Sequence, residues 1–249
     1  MGLSEILLFA TIVMCTYFIE GLIGFGGTIM ALPLASAVIG LKLTVPVMTV
    51  VVLAASLVIA IRDYKYINKK EFIKITLLMI IGLPIGMWLF DFLPERFLKV
   101  ILGVFMIVVA IKGLFDGSRL NKEIHQKKMD NKYKSIISNI ILFLGGIIHG
   151  AFTCGGPFVV VYATKNIKDK SSFRATLCAL WATLNAIMIT IDSLNGKITG
   201  DILKISVITM IFVTIAIIIS NIVHKKLKGE SFTKFVYIAL FVSGILMMM

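Results

Sequence analysis

The sequence has few charged residues and no polar stretch long enough to form a domain in water. Asp, Glu, Lys and Arg make up 15% of its 249 residues, whereas hydrophobic residues make up 59%. Soluble domains are roughly 45–50% apolar, and the mean hydropathy of this chain is +1.00. The longest polar stretch, residues 116–134, has the size of a loop. The composition therefore excludes a soluble globular protein and predicts an all-α polytopic membrane protein.

Motifs of enzymes and metal sites are also missing from the sequence. The chain contains no HExxH, GxSxG or Walker A pattern, which argues against hydrolytic or ATP-driven chemistry. Its three cysteines, Cys15, Cys154 and Cys178, lie in apolar segments without CxxC or zinc spacing. We therefore expect no catalytic residue, no metal, no cofactor and no disulfide.

The net charge of +12 is better explained by the membrane than by nucleic acid. Cytoplasmic loops of membrane proteins collect Lys and Arg, and this positive-inside bias accounts for a basic chain without a nucleic-acid partner. We expect the lipid bilayer and a small anionic substrate to be the partners of this protein.

A glycine-rich motif occurs twice, each time where a membrane helix would otherwise continue. Residues 21–28 read GLIGFGGT, and residues 150–157 read GAFTCGGP. Glycine destabilises a helix interior, and broken backbone inside a bilayer is tolerated only within protein or beside a wet cavity. One such break in each half of a chain is typical of transporters that bind substrate between discontinuous helices.

The two halves are related by an internal repeat. A shift of 129 residues places Gly21 on Gly150 and Ser56 on Asn185. The first repeat, 1–115, is predicted to hold a hairpin at 3–41 and spans at 43–61, 72–90 and 97–115. A basic cytoplasmic loop at 116–134 follows. The second repeat, 135–249, is predicted to hold a hairpin at 135–164 and spans at 175–191, 202–223 and 235–249. The first apolar run, 3–20, lacks the pattern of a cleaved signal and is expected to belong to the mature protein.

The distribution of positive charge favours hairpins over complete crossings at the two glycine motifs. If each motif is the tip of a hairpin, 20 of the 25 Lys and Arg residues fall on one face of the membrane. If each motif crosses completely, the charge divides almost evenly. The positive-inside rule therefore predicts inverted repeats, with both termini outside the cell membrane and the basic loops in the cytoplasm.

Two hairpin tips that meet near the midplane would form an anion site. Glycines let a ligand approach the backbone, and free N–H groups at a helix N-terminus carry about half a positive charge. The alternative is that the glycines only allow close helix packing. The predicted substrate-binding residues are Gly24, Phe25, Gly26, Gly27, Thr28, Thr153, Cys154, Gly155, Gly156, Pro157, Ser56 and Asn185.

Glu20 and His149 occupy equivalent positions in the repeat, one residue before each motif. Ionisable residues at membrane depth are rare and are candidates for function. One or both could take up a proton coupled to substrate movement, and His149 is favoured because histidine titrates near neutral pH. Alternatively, the two could face an aqueous vestibule or pair with each other.

Three further features leave alternatives open. Ser56 and Asn185 could bind substrate oxygens or join helices, and Cys154 could meet a sulfur substrate or serve as a small packing residue. The Gly82-xxx-Gly86 and Gly146-xxx-Gly150 pairs could be contacts of a homodimer or of internal packing.

The sequence resembles the TauE/SafE family of membrane permeases, the sulfite exporters. The resemblance rests on Gly21-xx-Gly24-x-Gly26-Gly27 with Pro33 following, and on the Cys154–Pro157 stretch (CGGP) with its preceding Gly150. It covers nearly the whole chain and implies export of sulfur-containing anions such as sulfite or sulfonates. The second copy departs from the family pattern at Tyr162, where the first copy has Pro33.

The leading interpretation is a secondary transporter of small anions that works by alternating access. The alternatives are a passive anion channel using the same tips, and a membrane protein that assembles a partner complex without transport.

Overall fold

Helices account for every regular element that the structure describes. The computed structural model describes residues 2–23, 26–117, 131–224 and 230–248. In chain order the elements are α1 (Leu3–Ile23), α2 (Gly27–Ile39), α3 (Leu41–Arg62), a 3₁₀ turn (Tyr64–Tyr66), α4 (Lys69–Phe92), α5 (Glu95–Gly117), α6 (Asn131–Phe152), α7 (Gly156–Asn166), α8 (Lys170–Leu194), α9 (Gly200–His224) and α10 (Glu230–Met248). The prediction of an all-α fold is confirmed.

Six described helices are long and apolar enough to cross a membrane: α1, α3, α4, α5, α8 and α9. Their outer faces carry exposed large apolar side chains, among them Val58, Trp88 and Val207. Such a surface suits a hydrocarbon solvent and not water. The chain is therefore a multi-pass membrane protein, as predicted.

Most helices extend beyond the apolar segments read from the sequence, because their first turns are polar and capped. The Asn68 side chain accepts a hydrogen bond from the Glu71 backbone at the start of α4 (3.2 Å), and Asp169 does the same for Ser172 in α8 (2.6 Å). These caps satisfy N–H groups that helices leave free. Residues 131–134, predicted as the end of the basic loop, are helical, whereas residues 118–130 of that loop lie outside the described residues.

Several extensive helix contacts recur when the two halves are exchanged, whereas the α2–α3 contact has no counterpart of similar extent. The α4–α6 contact corresponds to α9–α1, α3–α9 corresponds to α8–α4, and α1–α2 corresponds to α6–α7. The α3–α8 and α5–α10 contacts each join equivalent helices of the two halves. This correspondence is what a two-fold internal repeat requires.

Two sets of polar contacts identify the two ends of the bundle. The Lys197 end comprises residues 40–43, 90–97 and 192–201. There, Lys197 pairs with Asp91, and Glu95 accepts a hydrogen bond from the Leu41 backbone (3.0 Å). At the Tyr162 end, which comprises residues 62–71 and 162–176, the Tyr162 hydroxyl donates to Glu71 (2.7 Å). Helix α3 therefore runs from the Lys197 end to the Tyr162 end, whereas α4 and α8 run the opposite way.

Equivalent helices of the two halves run in opposite directions. Helices α3 and α8 are antiparallel, as their positions at the two ends show. In the α5–α10 pair, a Cβ at Gly244 would lie 2.9 Å from the Gly103 carbonyl oxygen, and a Cβ at Gly113 would meet the Tyr237 ring. Helices α5 and α10 are therefore antiparallel as well. The inverted repeat stays a prediction, and these directions support it.

The two helix pairs around the glycine motifs enter the bundle from opposite ends. Hydrogen bonds link Glu20 to Gly27 and Tyr17 to Thr28, so α1 and α2 form a hairpin that begins and ends toward the Lys197 end. Helix α6 runs parallel to α4, and α7 returns to the Tyr162 end, where Tyr162 meets Glu71.

The small residues of α4 and α6 pack against each other within one chain. A Cβ at Gly82 would lie 2.9 Å from the Ile147 nitrogen, and a Cβ at Gly86 would lie 2.8 Å from the Ala151 nitrogen. Backbones approach this closely only where side chains are missing. Both glycine pairs therefore serve internal packing between the two halves, and not the dimer contact that the sequence left open.

Candidate anion-binding site

The chain breaks its helices at both glycine motifs, and each break ends in a new helix start. Gly26 adopts a left-handed conformation (φ 96°) directly before α2. Thr153 is the one non-glycine residue with positive φ (55°) in the described part of the chain, and α7 begins three residues later with Pro157 in its first turn. Proline suits that position because the first turn has no partner for its N–H. Gly24 and Phe25 lie outside the described residues.

The two tips contribute to one apolar cluster. Ile29 and Leu32 of α2 pack in the same cluster as Phe152 and Cys154 from the second break. Cys154 is 4% exposed and has apolar surroundings, which favours the packing interpretation of its thiol. The structure thus brings the two breaks toward each other inside the bundle.

At the first tip, the carboxylate of Glu20 occupies the start of α2. Its Oε2 accepts a hydrogen bond from the Gly27 backbone nitrogen (3.0 Å), and a Cβ at position 27 would displace the Glu20 side chain. Thr28 contacts the Tyr17 hydroxyl (3.3 Å). A carboxylate is favourable there because the helix N-terminus carries partial positive charge. The place predicted for a substrate anion in the first copy therefore holds a carboxylate of the protein.

At the second tip, His149 lies in the position equivalent to Glu20 but has different surroundings. Its ring is 1% exposed and stacks on Trp181, with the ring centroids 5.1 Å apart. Neither ring nitrogen has a hydrogen-bond partner among the described residues. His149 and Glu20 do not pair with each other, which removes one alternative that the sequence left open.

Hydrogen bonds hold the second break in shape. The Thr153 nitrogen donates to the His149 carbonyl (2.7 Å), and the Thr153 hydroxyl bonds the Thr49 hydroxyl of α3 (2.8 Å). Gly155 is closely surrounded, since a Cβ there would lie 2.8 Å from the His149 Cβ. Gly156 is open, because the nearest atom to a Cβ there is a Trp181 ring carbon at 3.9 Å.

Ser56 and Asn185 lie on α3 and α8, which pack against each other, and both side chains are buried. The Asn185 amide nitrogen donates to the Trp181 carbonyl (2.8 Å), whereas its Oδ1 has no partner within the described structure. Asn185 therefore presents a free acceptor one helical turn from the tryptophan that covers His149.

A small cavity lies between the second glycine motif and the Lys197 end. Its volume is about 30 Å³, and its inner wall includes Gly150 and Met188. Its outer wall includes Asp91, Asp192 and Lys197. Lys197 lies 3.6 Å from Asp192 of its own half and also pairs with Asp91 of the other half. This ion cluster thus lies across the mouth of the cavity and connects the two halves.

The sequence did not predict that Thr49 contacts the second break or that Lys197 pairs with Asp91. The pairing of Thr49 with Thr153, and of Lys197 with Asp91, joins residues more than 100 positions apart and has no local signal. In the described residues, no group of three or more His, Cys, Asp or Glu side chains could hold a metal ion.

The comparison with protein families gives one match. The family model described as "Sulfite exporter TauE/SafE" matches residues 8–247 of the chain. The comparison with curated proteins and the comparison with solved structures gave no match. The family match covers both helix breaks and every residue of the candidate site.

Proposed function

The chain belongs to the TauE/SafE family of sulfite exporters and is a membrane transporter, and we propose that it exports small sulfur-containing oxyanions or organosulfonates such as sulfite. It would do so as a secondary transporter without a cofactor, by alternating access of the two halves around the helix breaks. The family supports the sulfur chemistry, and the geometry of the breaks supports an anion as the bound species.

The observation that carries the proposal is the pair of helices that begin inside the bundle. Helix α2 starts at Gly27 and α7 starts at Gly156, and residues from both breaks pack in one cluster. A helix N-terminus attracts anions through its free N–H groups and its dipole. A site without a full positive charge can bind a small anion and still release it.

Proton coupling would act through Glu20, with His149 as the second candidate. The Glu20 carboxylate and a substrate anion would compete for the start of α2, because both are drawn to the Gly27 N–H. Protonation of Glu20 would weaken its hold on that N–H and free the position. Substrate movement and proton uptake would then be linked at one place.

The Lys197 end would open and close by way of its ion pair. Lys197 and Asp91 join opposite halves across the mouth of the cavity, so the pair must separate when the halves move apart there. The positive-inside rule places the more basic Tyr162 end in the cytoplasm and both termini outside. Under this orientation the structure is closed toward the outside.

The test is flux of labelled sulfite, sulfate, thiosulfate and a small sulfonate in proteoliposomes, with and without a pH gradient. Saturable flux of a sulfur anion is expected. Flux that does not saturate would indicate a channel, and absence of all flux from folded protein would refute transport and favour an assembly role.

The matched control variants are Gly156→Leu and Gly200→Leu. A Cβ at either position makes no close contact, but only Gly156 lies at a helix break. Gly156→Leu should abolish flux while Gly200→Leu retains it. Gly27 is a poorer choice because a side chain there would displace Glu20.

A further inference from the structure

Three buried polar atoms near the second break have no hydrogen-bond partner in the described residues: Nδ1 and Nε2 of His149 and Oδ1 of Asn185. His149 is 1% exposed and Asn185 is fully buried. An unsatisfied buried polar group destabilises the folded protein, so native proteins rarely leave one without a purpose. Three such atoms in one region indicate a place for a ligand.

Trp181 connects these atoms with the start of α7. The His149 ring stacks on Trp181, and the Trp181 ring is also the nearest neighbour of a Cβ placed at Gly156. Asn185 follows Trp181 by one helical turn, and its amide nitrogen is held by the Trp181 carbonyl. Because only the amide N–H can donate to that carbonyl, the nitrogen of the Asn185 amide faces Trp181 and Oδ1 points away from it.

Neither His149 nor Asn185 lines the cavity beneath the Lys197 cluster, but residues close to each of them in sequence do. Gly150 follows His149, and Met188 lies one turn beyond Asn185. The cavity volume is about 30 Å³, which is close to the space of one water molecule and too small for an organic anion. Entry of an anion from this side therefore requires the halves to separate at the Lys197 end.

The unpartnered atoms require a ligand that both accepts and donates hydrogen bonds. A neutral imidazole has one donor and one acceptor, and Asn185 Oδ1 is an acceptor. The free N–H groups at the start of α7 are donors. A fully deprotonated oxyanion has acceptors only, so it would satisfy the N–H groups and leave Asn185 Oδ1 without a partner.

We infer that the second break selects an anion that keeps a hydrogen-bond donor, such as a monoprotonated oxyanion or a hydroxyalkanesulfonate. The helix start and one imidazole nitrogen hold its negative oxygens, and Asn185 Oδ1 accepts its proton. The inference rests on the proposed function, because it names the class of anion that the same site takes.

The test compares 2-hydroxyethanesulfonate with ethanesulfonate, which have equal charge but differ by one hydroxyl donor. The chain has two tryptophans, so in a Trp88→Phe variant the fluorescence of Trp181 reports binding beside His149. Trp88 is 58% exposed, stacks on Phe92 and takes no part in the site. Titration of this purified variant with each sulfonate measures both dissociation constants.

We expect the hydroxylated sulfonate to bind at least about tenfold more tightly. Ethanesulfonate has no donor for Asn185 Oδ1, and a buried acceptor left without a hydrogen bond weakens binding by about this factor. Equal binding of both, or binding of neither, overturns the inference. Flux of labelled sulfite in proteoliposomes is measured separately, so transport without donor selectivity leaves the proposed function standing. Absence of flux together with absence of binding overturns both.

Two variants assign the selectivity to Asn185. Asn185→Leu should bring the ratio of the two dissociation constants close to one, because the acceptor is removed. Asn139→Leu is the control. It removes another buried amide oxygen without a described partner, ten residues before His149 on α6, and it should keep the preference for the hydroxylated sulfonate. A preference that persists in Asn185→Leu overturns the assignment. The two sulfonates on the Trp88→Phe protein decide the inference even if Asn185→Leu fails to fold.

Discussion

Two adjacent glycines at the second break should respond in opposite ways to the same substitution. A Cβ at Gly155 would lie 2.8 Å from the His149 Cβ and 3.1 Å from the Met79 Cε, and it would also meet the Gly145 carbonyl oxygen. A Cβ at Gly156 would have only Trp181 nearby, at 3.9 Å, which is ordinary van der Waals contact. Gly155→Ala should therefore destabilise the protein, whereas Gly156→Ala should not.

The magnitude follows from the kind of atom that Ala would meet. Gly155 has φ −66°, which alanine adopts without strain, so the effect is steric alone. Overpacking costs about 1–3 kcal/mol, and the carbonyl and Cβ atoms here belong to a helix that cannot shift freely. For a chain of this size each kcal/mol lowers the melting temperature by about 2–4 °C. Gly155→Ala should then melt about 2–12 °C lower than the unchanged protein.

Thermal unfolding in detergent, followed by tryptophan fluorescence, measures both variants under one condition. Gly156→Ala should melt at or slightly above the temperature of the unchanged protein, because alanine favours helix over glycine by about 1 kcal/mol. Equal melting temperatures for the two variants would refute the described packing of Gly155 against α6. A lower value for Gly156→Ala than for Gly155→Ala would refute it as well.

Two further experiments with variants test the proposed coupling and opening. Glu20→Gln keeps an oxygen that can accept from the Gly27 N–H but removes the charge. Its free energy of unfolding should change by no more than about 1 kcal/mol, and its flux should lose its pH dependence. An unchanged pH profile in proteoliposomes would rule out Glu20 as the proton site. Asp91→Lys and Lys197→Asp should each alter the flux, and the double variant with both exchanges should restore it. The free energy of unfolding of the double variant should differ by less than about 1 kcal/mol from that of the unchanged protein, as expected for an exposed ion pair. A double variant no closer to normal flux than either single variant would contradict a role for this pair in opening.

The helices and their breaks could be predicted because the forces that decide them are local. Hydrophobic runs set the spans, and the new helices α2 and α7 begin at glycines of the two motifs, Gly27 and Gly156. The grouping of basic residues at one end also follows from loop composition. These features needed no knowledge of which helices touch.

The candidate site was predictable only in outline, because the environment of each residue depends on distant partners. Glu20 and His149 are equivalent in the repeat, yet one caps α2 and the other stacks on Trp181 of α8 without a hydrogen-bond partner in the described residues. Asn185 was named from the repeat, but its free acceptor depends on the hydrogen bond to the Trp181 carbonyl.

The sequence alone determined that this chain is helical, lies in a membrane and is interrupted by glycine once in each half, since propensity and hydropathy act over a few residues. Only the tertiary structure decided that Gly82 and Gly86 of α4 pack on α6, and that Lys197 connects the halves. Such contacts join residues far apart in the chain. They form only when the packing of whole helices brings those residues together.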